Sequence, residues 1–203
     1  MKFKLLFIAA FPIFIISACV PEKTIDPNGP NGFGASTKPL SGTPWVLPAG
    51  INLESGEQTS PTSYNYVSRP ADGTLPFYLT FRNNNNQLAT VVFPVGLMFP
   101  APDTFTQNSI IIQPDSIVIS AQSSYYLKMN TFCINDHRTF SYSATYGTPL
   151  VSDNASLTQL LQIIATKKLV TDDPNEILQK AIWSVADSGK LTPADITAIN
   201  LFQ

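Results

Sequence analysis

From residue 75 onward, apolar and polar positions alternate. In Phe77-Tyr78-Leu79-Thr80-Phe81-Arg82 the odd positions are apolar, residues 83–86 are four asparagines, and residues 88–93 return as a β-branched run. Period-two alternation sets one face of a strand against a core, and a polar turn between two such stretches predicts a β-hairpin. Further strands are predicted at 109–113, 116–120 and 124–134, separated by Pro114-Asp115 and by 121–123. Short strands at this regular spacing favour an antiparallel sandwich. In the last of them Tyr125, Leu127, Met129, Thr131 and Cys133 share one face, and Tyr126, Lys128, Asn130 and Phe132 share the other, so Cys133 falls on the more apolar side.

After Asp153 the period lengthens to 3.6. Leu157, Leu160, Leu161 and Ile164 form one helical stripe. Asp173-Pro174-Asn175-Glu176 carries an N-cap, a proline at the first helical position and a carboxylate three residues past the cap, and Gly189 is placed to end that helix. Thr192-Pro193-Ala194-Asp195 repeats the start signal for a third, short helix. Strands first and helices last predict an α+β fold: an antiparallel immunoglobulin-like β-sandwich with a C-terminal cap of about three short helices.

The first nineteen residues follow neither period. Lys2 and Lys4 precede an unbroken apolar run over 5–16, which leads into Ile16-Ser17-Ala18-Cys19. A positive start, a short apolar run and small residues describe a cleaved export signal, and the run is too short to cross a bilayer. The cysteine directly after Ser17-Ala18 resembles the lipobox of bacterial lipoproteins. That resemblance implies that Cys19 becomes the mature N-terminus and carries acyl chains, giving an extracytoplasmic protein anchored to the bacterial membrane. In a Gram-negative cell this means the outer membrane or the cell surface. Each buried methylene contributes about 0.8 kcal/mol, and two or more chains make such anchoring stable.

About 180 residues then remain, enough for one domain and a tether. Residues 20–45 are dense in Pro, Gly, Ser, Thr and Asn and hold no sustained period, so they predict a tether, with Trp45, Val46, Leu47 and Ile51 marking where the chain first docks. The expected organisation is a signal peptide at 1–18, a lipidated N-terminus and tether at 19–62, a sandwich at 63–152 and a helical cap at 153–203. Charged residues are 13% of the chain and the net charge is -2, which leaves no basic surface for nucleic acid.

With Cys19 acylated, Cys133 has no disulfide partner and is expected as a buried free thiol near Trp183. The strings Phe132-Cys133-Ile134-Asn135 and Leu178-Gln179-Lys180-Ala181-Ile182-Trp183 resemble two motifs of the thioester domains of bacterial surface adhesins. The resemblance implies a thioester-like core at Cys133, Gln179 and Trp183, from which an acyl group would pass to an amine on a host protein. Leu178 stands where that family has threonine. The family's third motif, which carries the bonding glutamine on a later strand, is missing, since the chain ends Leu201-Phe202-Gln203. The same residues also fit a purely structural arrangement, with Trp183 as a packing anchor and the Gln179 amide satisfying a backbone group of the sheet.

His137, the single histidine, lies just past the last strand and is expected exposed in a loop, with no Gly-x-Ser-x-Gly elbow to support a triad. One histidine and one available cysteine do not make a zinc site. In the stretch 184–195, read as a calcium loop, the first three ligand positions would be Ser184, Ala186 and Ser188, which lack carboxylates. The expectation is therefore no enzyme, no cofactor and no metal. The chain reads as a lipid-anchored protein with a noncovalent binding or envelope-structural role, engaging a protein or glycan ligand through sandwich loops at 83–86 and 101–107. The alternative is a covalent adhesin using Cys133.

Overall fold

The computed structural model describes residues 32–58, 64–68, 73–139, 144–167 and 174–202. Ten strands precede three helices: β1 (Gly42–Pro44), β2 (Ile51–Glu57), β3 (Val67–Ser68), β4 (Leu75–Asn83), β5 (Ala89–Phe93), β6 (Leu97–Phe99), β7 (Ser109–Ile110), β8 (Asp115–Ile119), β9 (Ser124–Cys133), β10 (Leu150–Ser152), α1 (Ala155–Ala165), α2 (Pro174–Ser188) and α3 (Pro193–Ile199). One sheet runs β1-β10-β6-β7-β9-β4-β2, with β3 lying parallel to β9, and the other pairs β5 with β8. The expected α+β sandwich with a C-terminal helical cap is the fold of the chain.

Two cores explain the apolar pattern. Between the sheets, Phe77, Leu79 and Phe81 of β4 and Leu127 and Met129 of β9 meet Val91 and Phe93 of β5 and Ile117 and Ile119 of β8. On the other face of the large sheet, Met98, Ile110, Ile112, Phe132 and Ile134 meet Leu157, Leu160, Leu161 and Ile164 of α1 and Leu178, Ala181, Ile182 and Val185 of α2. The unbroken runs Leu97-Met98-Phe99 and Ile110-Ile111-Ile112 follow from this arrangement. Leu97, Phe99 and Ile111 face the sheet-to-sheet core, while Met98, Ile110 and Ile112 face the helices. Both faces are covered there, so the strands lose the polar alternation seen where one face is wet.

The helices begin and end as their sequences dictate. Asn154 caps α1 by accepting from the Leu157 N–H at 2.9 Å. Pro174 opens α2, and Gly189, at φ +69°, closes it with its N–H on the Val185 carbonyl. Thr192 and Asp195 form a reciprocal capping box on α3. The predicted cap residue Asp173 and the expected acylation site Cys19 lie outside the described residues. Among the described residues no helix is long and apolar enough to cross a membrane.

Two expectations are corrected. Strands β4 and β5 do not form a hairpin. β4 pairs with β2 and β9, while β5 pairs with β8 in the opposite sheet, so residues 84–88 cross between layers. A hairpin and a crossover bury the same alternate residues, and the period therefore cannot separate them. Asn83, expected in an exposed loop, is fully buried at this crossing. Its amide donates to the carbonyls of Gln87, Ile119 and Ser120, and its carbonyl oxygen accepts from the Asn85 N–H, which ties the two sheets together.

The second correction concerns the tether. Residues 32–58 belong to the fold, and the chain docks at Phe33, which is buried in the helix-side core, twelve positions before Trp45. Backbone contacts dominate this docking. The Gly32 carbonyl accepts from Asn108 and Asn135, and a Cβ at Gly32, where φ is +70°, would fall 2.6 Å from the Leu40 nitrogen. A segment held by its main chain carries little apolar signature, which is why its composition reads as a linker.

Candidate functional site

Cys133 ends β9 at the point where β4 has run out. The β4–β9 ladder closes at Leu75 opposite Thr131, two residues before Cys133. Beyond that register the Cys133 backbone has no strand partner on this side among the described residues, and Gln179 of α2 takes its place. The Gln179 Oε1 accepts from the Cys133 N–H at 3.0 Å and from the Thr74 hydroxyl at 2.7 Å, while its Nε2 donates to the Cys133 carbonyl at 2.8 Å. One side-chain amide thus pairs with a residue as a neighbouring strand would. The helix brings it there because Leu178, Ala181, Ile182 and Val185 press α2 onto the sheet and leave Gln179 at the edge of that contact, 4% exposed.

With both backbone groups turned to Gln179, Cys133 and its partner Ser109 on β7 form a non-hydrogen-bonded pair, the arrangement that brings side chains closest, with Cα atoms about 4.5 Å apart. Cys133 is 6% exposed, and the Thr74 hydroxyl lies 4.0 Å from Sγ. Burial pushes the thiol up to about 11, against smaller opposing contributions from Thr74 and the backbone, so it stays protonated at neutral pH and is a poor nucleophile. Gln58, just past β2, reaches the same place: it is 6% exposed and its Nε2 donates to the Ser109 hydroxyl at 3.3 Å. Nothing local in Glu57-Gln58-Thr59 announces that proximity, which depends on a contact 51 positions along the chain. Tyr146 borders this region with its hydroxyl on the Gln107 carbonyl, its phenol raised chiefly by burial.

The rest of the cysteine motif is structural in its contacts. Phe132 and Ile134 are fully buried in the helix-side core. Asn135 is fully buried, donates to the carbonyls of Gly32 and Gly34, and accepts from the Asn108 N–H, stapling the N-terminal segment to the end of β9. Of the three predicted site residues, Cys133 and Gln179 are in contact. Trp183 sits one turn further along α2, half-buried, with an enclosed Nε1–H that has no hydrogen-bond partner among the described residues.

His137 is not the exposed loop residue expected. Its side chain is 16% exposed, with Nδ1 3.4 Å from Asp136 Oδ1. Arg138 is 7% exposed and donates to the carbonyls of Ser36 and Thr106, and burial lowers its pKa despite the Asp103 carboxylate nearby. In the loop at 101–107, Phe105 is exposed, but Thr106 and Gln107 are buried. The Asp103 carboxylate accepts from the N–H groups of Thr106 and Phe105, which holds it below its ordinary range. Among the described residues no group of three or more His, Cys, Asp or Glu side chains converges as metal ligands would.

Recesses open on the surface among the described residues. One, of about 410 Å3, lies beside Lys38, Asp103 and Arg138. Another, of about 580 Å3, runs between β2 and residues 145–149. Residues 145–149 meet β2 at one end, where the Tyr146 N–H donates to the Gly56 carbonyl at 3.0 Å and Thr145 bridges Glu57, and then turn to join the β1–β10 pairing, which the Trp45 N–H extends by donating to the Pro149 carbonyl at 3.0 Å. Neither a family model, a curated protein nor a solved structure matches this chain in sequence or fold comparison.

Proposed function

We propose that the chain is a lipid-anchored protein of the bacterial cell envelope, attached through Cys19, whose domain works by noncovalent binding. The observation that carries this reading is the Gln179 amide, both of whose polar atoms are committed to the Cys133 backbone. A glutamine so engaged acts as a structural clamp, and the protonated, enclosed thiol beside it is unsuited to attack. The low charge and the Ile16-Ser17-Ala18-Cys19 context support export and acylation. Two measurements test the proposal. Cys19→Ser should move the protein out of the membrane fraction, and a variant that still floats with lipid removes the anchor. Intact mass of the mature domain should match an unmodified Cys133.

A second reading is favoured by the position of Gln58. Its amide bonds to Ser109, the cross-strand neighbour of Cys133, so a glutamine lies near the thiol. In that reading Cys133 Sγ attacks the Gln58 side-chain carbonyl carbon, the C–N bond breaks, and ammonia leaves with the thiol proton. An incoming amine would later take the acyl group and release the thiol. An ammonia-sized mass deficit that disappears with methylamine, and is absent from both Cys133→Ser and Gln58→Ala, would establish it.

A further inference from the structure

We infer that the cleft between β2 and residues 145–149 is a binding site for a neutral oligosaccharide. This rests on the noncovalent-binding reading and gives it a place and a ligand class.

The cleft lies where β2 and residues 145–149 part beyond the contact of Tyr146 with Gly56. One wall is the outer edge of β2, and a β-bulge between Leu53 and Ser55 leaves Glu54 without a ladder partner. A bulge re-aims the side chain it carries, and here it sets Glu54 on the cleft wall. Asn52 and Glu54 are exposed on this wall, and Thr145 and Thr148 are exposed on the facing one. The apolar part of the lining includes Trp45 and Leu53, both half-buried. Trp45 is held in place. Its Nε1–H donates to the Val92 carbonyl at 3.2 Å, and its ring packs against Phe93 and Phe81 at centroid distances of 5.4 and 6.3 Å. Ordering such a ring costs nothing further on binding.

The lining selects the ligand class. Among the described residues that form it, Glu54 carries the only charge, so an anion finds no cation and would meet a carboxylate. A purely apolar ligand would desolvate Asn52, Glu54, Thr145 and Thr148 without giving them partners, which is unfavourable for each such group. A sugar chain satisfies both halves of the surface. Its hydroxyls donate to a carboxylate and exchange hydrogen bonds with an amide and with threonine hydroxyls, and its C–H face lies on an indole. The volume of about 580 Å3 falls within the roughly 300–1,000 Å3 of small-ligand clefts. Residues 51–56 give a wall on the order of 17 Å long, which suits a chain of several rings better than a single one.

The test uses the full acylated chain in a detergent whose headgroup is not a sugar. Cellotetraose, maltotetraose, mannotetraose, xylotetraose and tetra-N-acetylchitotetraose are titrated by calorimetry and by tryptophan fluorescence in a Trp183→Phe background. At least one should bind and change the Trp45 emission. Asn52→Ala and Thr148→Ala, both at exposed positions where folding is not at stake, should each weaken it roughly tenfold or more. Absence of binding at millimolar concentration, or binding that survives both substitutions, overturns the proposal. If an extended peptide occupies the cleft and none of the sugars does, the ligand class falls while the noncovalent reading stands. The mass deficit described above would instead mark the failure of that reading, whereas absent sugar binding without a mass deficit marks the failure of this inference alone.

Discussion

At the end of β9, amide, hydroxyl and thiol groups are turned on one another, whereas along the outer edge of β2 groups of similar kinds face outward. Gln179, Thr74, Ser109 and Gln58 each meet a protein partner around Cys133. Asn52, Glu54, Thr145 and Thr148 line an open cleft. The difference is one of accounting for backbone groups. Strand β4 stops short of Cys133, so its N–H and carbonyl must be satisfied in a buried place, and side chains are recruited to do it. At the outer edge of β2 the polar side chains Asn52 and Glu54 are exposed, so burial does not compel them to find protein partners and they are left available to a ligand. A cluster of polar residues is therefore a sign of structure where burial compels it and a sign of recognition where it does not.

The largest effect expected from breaking this distinction is at Gln179. Replacing it with leucine removes both partners of the Cys133 backbone in a buried setting and should cost about 3 kcal/mol, since each orphaned group costs roughly 1–3. For a domain of this size that is a fall in Tm on the order of 10 °C. A Tm within a degree or two of the parent would show that Gln179 is no clamp.

Next in size is the pH dependence carried by Cys133. Its folded pKa is raised from 9.0 to about 11, so the unfolded chain releases the proton first as pH rises. The stabilisation is fully present below pH 9 and is lost as pH rises through about 11, with an upper bound of about 3 kcal/mol from two units at roughly 1.4 each. The raised phenol of Tyr146 acts in the same direction, so the Cys133 share is the part that vanishes in Cys133→Ala. Alkylation follows the same logic. Native protein should label very slowly and denatured protein fully, and fast native labelling would contradict the burial.

A smaller effect is expected at the other end of the helical cap. Thr192→Ala deletes half of the capping box of α3 and should cost about 1 kcal/mol in urea denaturation. Because α3 contributes Ile199 to the helix-side core and touches neither Cys133 nor the cleft, thiol labelling and sugar titration should both remain unchanged.

How legible these regions were in the sequence follows from what holds them. The α1 stripe Leu157, Leu160, Leu161 and Ile164 is buried as its period requires, and the Gly189 stop and the Thr192 start lie where their residues place them. Period and cap are local, and local chemistry is what a sequence displays. Layer assignment is not local. β4 and β5 alternate alike whether they pair with each other or face each other across a core, and Phe81 and Phe93 meet across that core at 5.8 Å. The amide of Gln179 was readable as a backbone partner because it sat at the edge of an apolar helical arc. Gln58 was not, since it reaches Ser109 only through the sheet. The cleft was invisible for a related reason: it is bounded by β2 and by 145–149, segments that meet only because a sheet curls.

The smallest stability effect belongs to the cleft, and it is the most telling for the comparison. Thr148 is exposed on the cleft wall. Removing its hydroxyl by Thr148→Ala leaves a wet site wet and should change the denaturation free energy by no more than about 0.5 kcal/mol, as surface substitutions away from special features do. The same change should weaken oligosaccharide binding, because a bound sugar hydroxyl would lose its partner away from water. A pronounced loss of stability in Thr148→Ala, with binding untouched, would show that the cleft wall is a closed part of the structure after all and would erase the contrast with Cys133.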